Sequence, residues 1–295
     1  MKSQSIIDLI GNTPLVKTQN LIQKKGISLY LKLEGHNPAG SVKDRAAYNM
    51  IASAIERNEI KKTNYLIEAT SGNTGIALAM IAKLFCIQIE LVMPENSTKE
   101  RIQTMEAYGA KVTLTSSETG IEGSREYAEK MVKEKGYIML NQFANDDNWK
   151  AHYKTTGPEI WRDTNGEITH FISAMGTTGT IIGTSTFLKE KNEHIQIIGV
   201  QPTDNSKIPG IRKWSAEYLP KIFNPNKVDS IIEVSENEAR AMTKRLAKEE
   251  GIFAGMSAGG AVAAALKLSE TVKKGVFVTI VPDRGDRYLS SDLFD

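Results

Sequence analysis

Apolar and polar positions follow two rhythms that take turns along the chain. Short apolar runs, Tyr65 to Ala69, Ile87 to Met93 and Lys111 to Thr115, are each followed by a stretch with helical spacing. Those stretches are Ile76 to Leu84, Thr98 to Tyr108 and Ile121 to Lys135. After a break near Asn141 to Trp149 the rhythm resumes with Thr169 to Ala174, a helix from Thr180, the strand Ile195 to Val200 and a late strand, Val276 to Val281. Strand then helix, repeated, predicts an α/β fold of parallel sheets covered by helices.

Local punctuation agrees with the periodicity. Ser235 and Glu238 form an S-x-x-E capping box ahead of a helix ending at Glu250, with Gly251 as its stop, and Gly109 closes the helix from Thr98. No repeat of 20 to 50 residues and no low-complexity linker interrupts the pattern. The polar, asparagine-rich segment Gln142 to Lys150 is the expected seam between two domains, which a chain of 295 residues has length for.

Composition narrows the function classes. Lys plus Arg (37) against Asp plus Glu (35) leaves a net charge of +2 with no run of five like charges, so a grip on nucleic acid is not indicated. The single cysteine, Cys86, excludes an internal disulfide and a cysteine-based zinc cluster, and His36, His152, His170 and His194 show no ligand spacing, so no metal is expected. Cys86 follows an apolar helix and is expected in the core, and His152 is expected to be structural or to support a site residue from behind. The start, Met1 to Gly11, has no apolar signal core, and Ile76 to Phe85 is broken by Lys83. A soluble, cytoplasmic protein with no membrane partner is expected.

Four loops carry the candidate chemistry. Gly176-Thr177-Thr178-Gly179-Thr180 follows a strand and opens a helix, where unpaired N–H groups, the helix dipole and three hydroxyls suit a phosphate. A threonine-capped turn is the alternative. Its G-x-x-G spacing is not a dinucleotide fingerprint. Thr70 to Gly75 offers small neutral donors suited to a carboxylate, or is simply a turn. In Gly35 to Lys43, two residues separate the second glycine from the lysine, so it is not a phosphate loop of the nucleotide-binding kind. Ser41 as N-cap with Asp44 three residues on would put Lys43 in a first helical turn, where the dipole lowers its pKa toward Schiff-base chemistry. An exposed lysine on a capped helix is the plain alternative. In Gly251 to Gly260, Ser257 could cap the following helix, Ala261 to Leu268, or aim its hydroxyl at a ligand nitrogen.

These spacings together resemble one family. N-P-A-G-S-V-K-D-R at 37 to 45, T-S-G-N-T-G at 70 to 75, T-T-G-P-E-I-W at 155 to 161, G-T-T-G-T at 176 to 180 and the late D-R-G-D-R-Y-L-S are similar to the cysteine synthases. Those are pyridoxal 5′-phosphate enzymes of fold type II, the tryptophan synthase β-like fold. The likeness runs from Gly11-Asn12-Thr13-Pro14-Leu15 to the C-terminus, and Pro209 to Trp214 with the Asp-Arg-Gly-Asp-Arg-Tyr ending resembles the B-type isoform. Two residues depart from it: Pro282 stands where B-type members carry cysteine, and Lys213 where they carry a second arginine, both on the expected sulfur-donor side.

The resemblance implies two domains of helix-covered, mostly parallel sheets, a smaller mobile one (36–145) and a larger one (1–35 with 146–295), with the cofactor between them. It implies that Lys43 holds pyridoxal phosphate as an aldimine and is the catalytic base. Gly176, Thr177, Thr178, Gly179 and Thr180 bind the phosphate, Asn73 meets the ring hydroxyl and Ser257 faces the pyridine nitrogen. Thr70, Ser71, Asn73, Thr74 and Gln142 take the substrate carboxylate, and Arg212 contacts an anionic donor. The reaction implied is β-replacement on O-acetylserine through an aminoacrylate, with sulfide giving L-cysteine or thiosulfate giving S-sulfocysteine, in a homodimer. The alternatives are another fold-type II enzyme, cystathionine β-synthase-like or serine dehydratase-like, and a scaffold that binds a serine acetyltransferase tail.

Overall fold

The structure is a computed structural model and describes residues 5–295. Two sheets organise it. The first has six strands in the order β1-β2-β10-β7-β8-β9: β1 is Leu15–Lys17, β2 Ile27–Leu33, β7 His170–Ala174, β8 Gln196–Pro202, β9 Ser230–Val234 and β10 Gly275–Val281. The second has four, β5-β4-β3-β6, with β3 at Tyr65–Ala69, β4 at Gln88–Pro94, β5 at Lys111–Thr115 and β6 at Ile138–Met139. Every pairing is parallel except the antiparallel edge β1 on β2. Central strands buried on both faces read as continuous apolar runs, which explains why Gln88–Pro94 (QIELVMP) buries all but its first residue.

The helices are α1 (Lys43–Glu56), α2 (Asn73–Leu84), α3 (Lys99–Ala107), α4 (Gly120–Lys135), α5 (Asp146–Lys154), α6 (Thr156–Asp163), α7 (Gly179–Lys191), α8 (Glu236–Glu250) and α9 (Met256–Thr271). The predicted capping box of α8 is present, with Gly251 left-handed at φ 68°. Both α2 and α9 are apolar nearly all round and correspondingly buried. Each sheet has its own apolar core: Ile76–Ala82 of α2 pack with Met50, Ile51 and β4 on the four-stranded side, while Val262, Ala264, Phe277 and Val200 pack on the six-stranded side.

The expected seam, Gln142–Lys150, is folded and largely packed: Asn145 caps α5 through its side chain, and Gln142, Asp147 and Asn148 are buried. Two expectations are corrected. Cys86 is exposed, at φ 58° in the turn after α2, rather than in the core. Helix α9 starts at Met256, five residues ahead of the expected Ala261.

A buried ionic cluster fixes α1. Arg45, almost wholly buried, bonds Glu34 through Nε at 2.7 Å and Glu159 through Nη1 at 2.6 Å. Lys32 adds a 2.8 Å contact to Glu159 and donates to the Thr13 carbonyl at 2.6 Å. Gly11 is required here, because its φ is +88° and a Cβ would stand 2.8 Å from Arg45 Nη1. Burial alone would raise the Glu159 carboxyl, but Arg45 and Lys32 hold it down at about 2. A carboxylate lowered from 4.5 contributes stability above that value and loses it as pH falls toward 2. We expect Arg45→Met, which strands two buried carboxylates, to cost about 3–5 kcal/mol in urea unfolding at pH 7. Glu159→Gln should flatten the loss of stability between pH 4.5 and 2.

Candidate active site

The site forms where the carboxyl ends of both sheets meet, the crevice in which open α/β sheets bind ligands. A cleft of about 320 Å³ is lined by Lys43, by Thr70 to Thr74 and by Gln142, Gly176, Thr177 and Arg212. It adjoins a smaller cavity of about 60 Å³, which Lys43 and Asn73 share with Thr178, Thr180 and Ser257. Residues scattered from 43 to 257 in the sequence thus come together, and among the named site residues only Gly179 lines neither space.

Lys43 is the first residue of α1 and is partly buried. Its position was expected, the cause of its perturbation only in part. Loss of water around the ammonium lowers its pKa most, and the Asp283 and Glu34 carboxylates oppose that. Nor does Ser41 act as the N-cap: Val42 holds that place, held by its N–H to the Pro282 carbonyl at 2.8 Å. Asp44 instead turns back to accept from the Ala39 N–H at 2.5 Å, and burial pushes its carboxyl up to about 7.

The loop after β3 leads into α2 three residues earlier than a turn at 70 to 75 would allow, so Asn73, Thr74 and Gly75 form the first helical turn. Thr74 Oγ1 donates to Gln142 Oε1 at 2.8 Å, which leaves the Gln142 amide N–H₂ as a donor for the cleft. Asn73 Nδ2 donates to Asp283 Oδ2 at 2.6 Å, while its oxygen accepts from Arg287.

The loop after β7 enters α7 at Gly179, with Thr178 left-handed at φ 72°. Gly176 tolerates no side chain, since a Cβ would lie 2.8 Å from the Gly210 carbonyl. Gly179 is closed in by Asn148, whose amide donates to Thr177 Oγ1 at 3.2 Å. His152 bridges this loop to α6: Nδ1 meets Thr156 Oγ1 at 2.8 Å and Nε2 meets Thr180 Oγ1 at 3.3 Å. Burial first, then the Arg45 cation, drops its pKa to about 3, so it stays neutral and structural, as expected. His36, His170 and His194 join no metal-binding group among the described residues.

Ser257 does not cap α9. Gly255 occupies that place, and the Ser257 hydroxyl lines the small cavity beside Lys43. Of the two departures, Pro282 lines the same cavity. Lys213 is turned away, held by Asp204 at 2.7 Å and Glu233 at 2.8 Å on the surface. Sequence reasoning assigned no role to Asp283, Tyr288, Arg101, Arg125, Phe143 or Trp214. Asp283 and Tyr288 lay in the quoted D-R-G-D-R-Y motif and could have been singled out, since Tyr288 OH donates to Asp283 Oδ2 at 2.7 Å. For Arg101 and Arg125, ordinary residues of exposed helices in sequence, no local signal exists.

Pyridoxal phosphate fits these residues. Thr178 Oγ1 and Asp283 Oδ1, both lining the small cavity, are buried without a hydrogen-bond partner, and buried polar atoms are rarely left so. A phosphate-bearing polar ring supplies what both lack. The profile of the family described as pyridoxal-phosphate dependent enzyme matches residues 6–283, and the chain belongs to that family. Within it the chain groups with the B-type cysteine synthases. It is 55% identical to cysteine synthase B of Pseudomonas aeruginosa, covering 99% of this chain and 97% of that one. Against cysteine synthase B of Escherichia coli the identity is 53%, over 97% and 94%. The crystal structure of cysteine synthase from Entamoeba histolytica superimposes with a TM-score of 0.95 at 39% identity, over all of this chain and 91% of that one.

One further acid under the cleft sets a pH dependence. Glu68 of β3 is buried and accepts the Asn141 N–H at 3.1 Å and the Gln142 N–H at 3.5 Å. Burial lifts its carboxyl from 4.5 to about 7. The folded protein therefore binds the extra proton between those values, and stability falls as pH rises through them. Urea unfolding of Glu68→Gln should show a gain over the parent of about 1–3 kcal/mol at pH 8 that vanishes by about pH 4.5.

Proposed function

We propose that this chain catalyses the pyridoxal-phosphate-dependent replacement of the acetoxy group of O-acetyl-L-serine by a sulfur nucleophile, giving L-cysteine with sulfide. The observation that carries this reading is the placing of one lysine, with a depressed pKa, between two clusters of neutral anion donors at helix N-termini. Bound at this site, the cofactor supplies an electron sink conjugated to the substrate α-carbon.

The chain's own residues do the rest. Thr178, Thr177 and Thr180, with the N–H groups of Gly176 and Gly179, hold the phosphate at the head of α7. Asn73 meets the ring hydroxyl, its amide kept in place by Asp283 and Arg287. Ser257, which lines the small cavity, would face the ring nitrogen with a neutral hydroxyl. Such a partner cannot keep a charge there as a carboxylate would, which favours elimination over a long-lived carbanion. Thr70, Ser71, Asn73 and Thr74, with the Gln142 amide, orient the substrate carboxylate on the head of α2.

Lys43 would hold the cofactor, and its free Nζ would take the substrate α-proton as general base. The Cβ–O bond breaks, acetate leaves with the electron pair, the sulfur nucleophile forms the Cβ–S bond, and Lys43 returns the proton. Arg212, on the loop after β8, meets an anionic donor such as thiosulfate. Residues 36–145 form the smaller, mobile domain, since the carboxylate donors ride on the four-stranded sheet and the phosphate donors on the six-stranded one. We take the working form to be a cytoplasmic homodimer, supported by the likeness to bacterial cysteine synthases. Among the described residues no helix is long and apolar enough to cross a membrane.

The test supplies O-acetylserine with sulfide or thiosulfate and measures cysteine and S-sulfocysteine directly. Lys43→Ala should lower kcat/KM by about 10³-fold or more and leave no borohydride-reducible link between chain and cofactor. A link that persists in this variant refutes the role of Lys43.

A further inference from the structure

Besides Arg212, two arginines line the cleft, Arg101 and Arg125. Arg101 is fixed to the cleft wall, its Nη1 donating to the Ser71 carbonyl at 3.3 Å and its guanidinium lying over Tyr288, with Nε buried and unpartnered among the described residues. Arg125 and Arg212 form a pair of another kind. Arg125 belongs to α4, packed on the four-stranded sheet, and its Cζ lies 5.1 Å from the centre of the Phe143 ring. Arg212 belongs to the loop after β8 in the other half, and its Cζ lies 5.4 Å from the centre of the Trp214 ring. These two rings touch edge to face, 5.6 Å apart at 76°. Trp214 is pinned in turn, its Nε1 donating to the Gly176 carbonyl at 2.8 Å.

Two touching rings thus hold one guanidinium each, on the lining of one cleft. Stacking on an aromatic face fixes a guanidinium without consuming its donors. Glu122, exposed, is 3.1 Å from Arg125, the buried Glu68 carboxyl also feels the Arg125 charge, and Arg212 has no side-chain ion pair among the described residues. Loss of water, then the neighbouring Arg125 cation, holds the Arg212 guanidinium below its ordinary range. Of these two neighbouring cations Arg212 is left without an ion pair among the described residues, and guanidinium forks match tetrahedral oxyanions.

We propose that Arg125, paired with Arg212, is a specificity residue that holds a tetrahedral oxyanion in the cleft. The oxyanion arrives either as the sulfonate end of a thiosulfate-type donor or as the phosphate of O-phosphoserine. This rests on the reading above that the cleft carries out β-replacement. Because the arms come from different halves, a bridging oxyanion joins the halves through charge, which sulfide, having no such group, cannot do.

Arg125→Gln and Arg125→Lys test this with three substrate pairs at constant ionic strength: O-acetylserine with sulfide, O-acetylserine with thiosulfate, and O-phosphoserine with sulfide. For Arg125→Gln, kcat/KM should fall at least about tenfold more with an oxyanion-bearing pair than with the first, mainly through KM, and Arg125→Lys should recover part of it. The pair that falls identifies the source of the oxyanion. Equal losses in all three pairs, or none, overturn the proposal. Titration of the parent and Arg125→Gln with unreactive inorganic sulfate, followed by tryptophan fluorescence, decides the same point without turnover. Equal sulfate affinity overturns it, and at least about tenfold weaker binding in the variant supports it. An inactive parent would refute the proposed reaction and leave the sulfate result standing.

Discussion

The buried Arg45 guanidinium governs where the reactive lysine sits. Two residues beyond Lys43, it bonds Glu34 at the end of β2, Glu159 in α6 and Thr13 in the opening loop. Removing so many charges from water is expensive, and a well-packed apolar substitute is often no less stable. What the cluster supplies is direction. A guanidinium fork satisfied on both sides by carboxylates admits one orientation, so the first turn of α1 cannot rotate or slide against the six-stranded half. Three motifs of the sequence, around Asn12, Lys43 and Glu159, meet in this one cluster, with the Asn12 N–H closing it on Glu159 at 2.9 Å.

Lys43 also lies where the two cores meet. Val42, one residue before it, packs with Ile160, Phe171 and Ile280, whereas Ala46 and Ala47 pack with α2 and β4. A lysine at such a junction is partly shielded from water without being enclosed by apolar side chains. Its amine can lose its proton readily and still reach a ligand entering the cleft. The carboxylates of Asp283 and Glu34 pull the other way, so the balance is set by groups on both sides of the seam.

The alternation of strands and helices was legible because apolar periodicity is a local property, and β5 at Lys111–Thr115 matched it residue for residue. The glycine loops were legible for the same reason: backbone N–H groups at a helix start follow from local chain geometry. Errors arose where burial came from distant partners. Gln142 to Lys150 was legible only as a polar, asparagine-rich seam, because asparagines are usually exposed, whereas Asn148 is buried to reach the Gln142 carbonyl at 2.7 Å and Thr177 Oγ1 at 3.2 Å. Ser257 looked equally able to cap α9, and only the approach of the Asp283 segment, antiparallel to Ser41, shows which space it faces. Arg125 and Arg212 stand 87 residues apart in sequence, and no periodicity brings them together.

A net charge of +2 describes this chain poorly, because the charges that matter are the local ones. At the heads of α2 and α7 the helix dipole places about half a positive charge, to which Arg287 on the Asn73 oxygen and Arg101 on the Ser71 carbonyl add at α2. A carboxylate or phosphate held there by N–H and hydroxyl donors is held by neutral groups, which leaves the neighbouring lysine free of a competing ion pair. The paired arginines line the same cleft as Lys43, beside Phe143 and Trp214, while the charges that bear most on the amine are the Asp283 and Glu34 carboxylates. Strong cations next to Lys43 would lower its affinity for protons still further and draw the substrate carboxylate out of place. A site proposed to handle several anions beside one lysine thus offers them two kinds of donor in one cleft, N–H and hydroxyl groups at the helix heads and guanidinium groups stacked on Phe143 and Trp214.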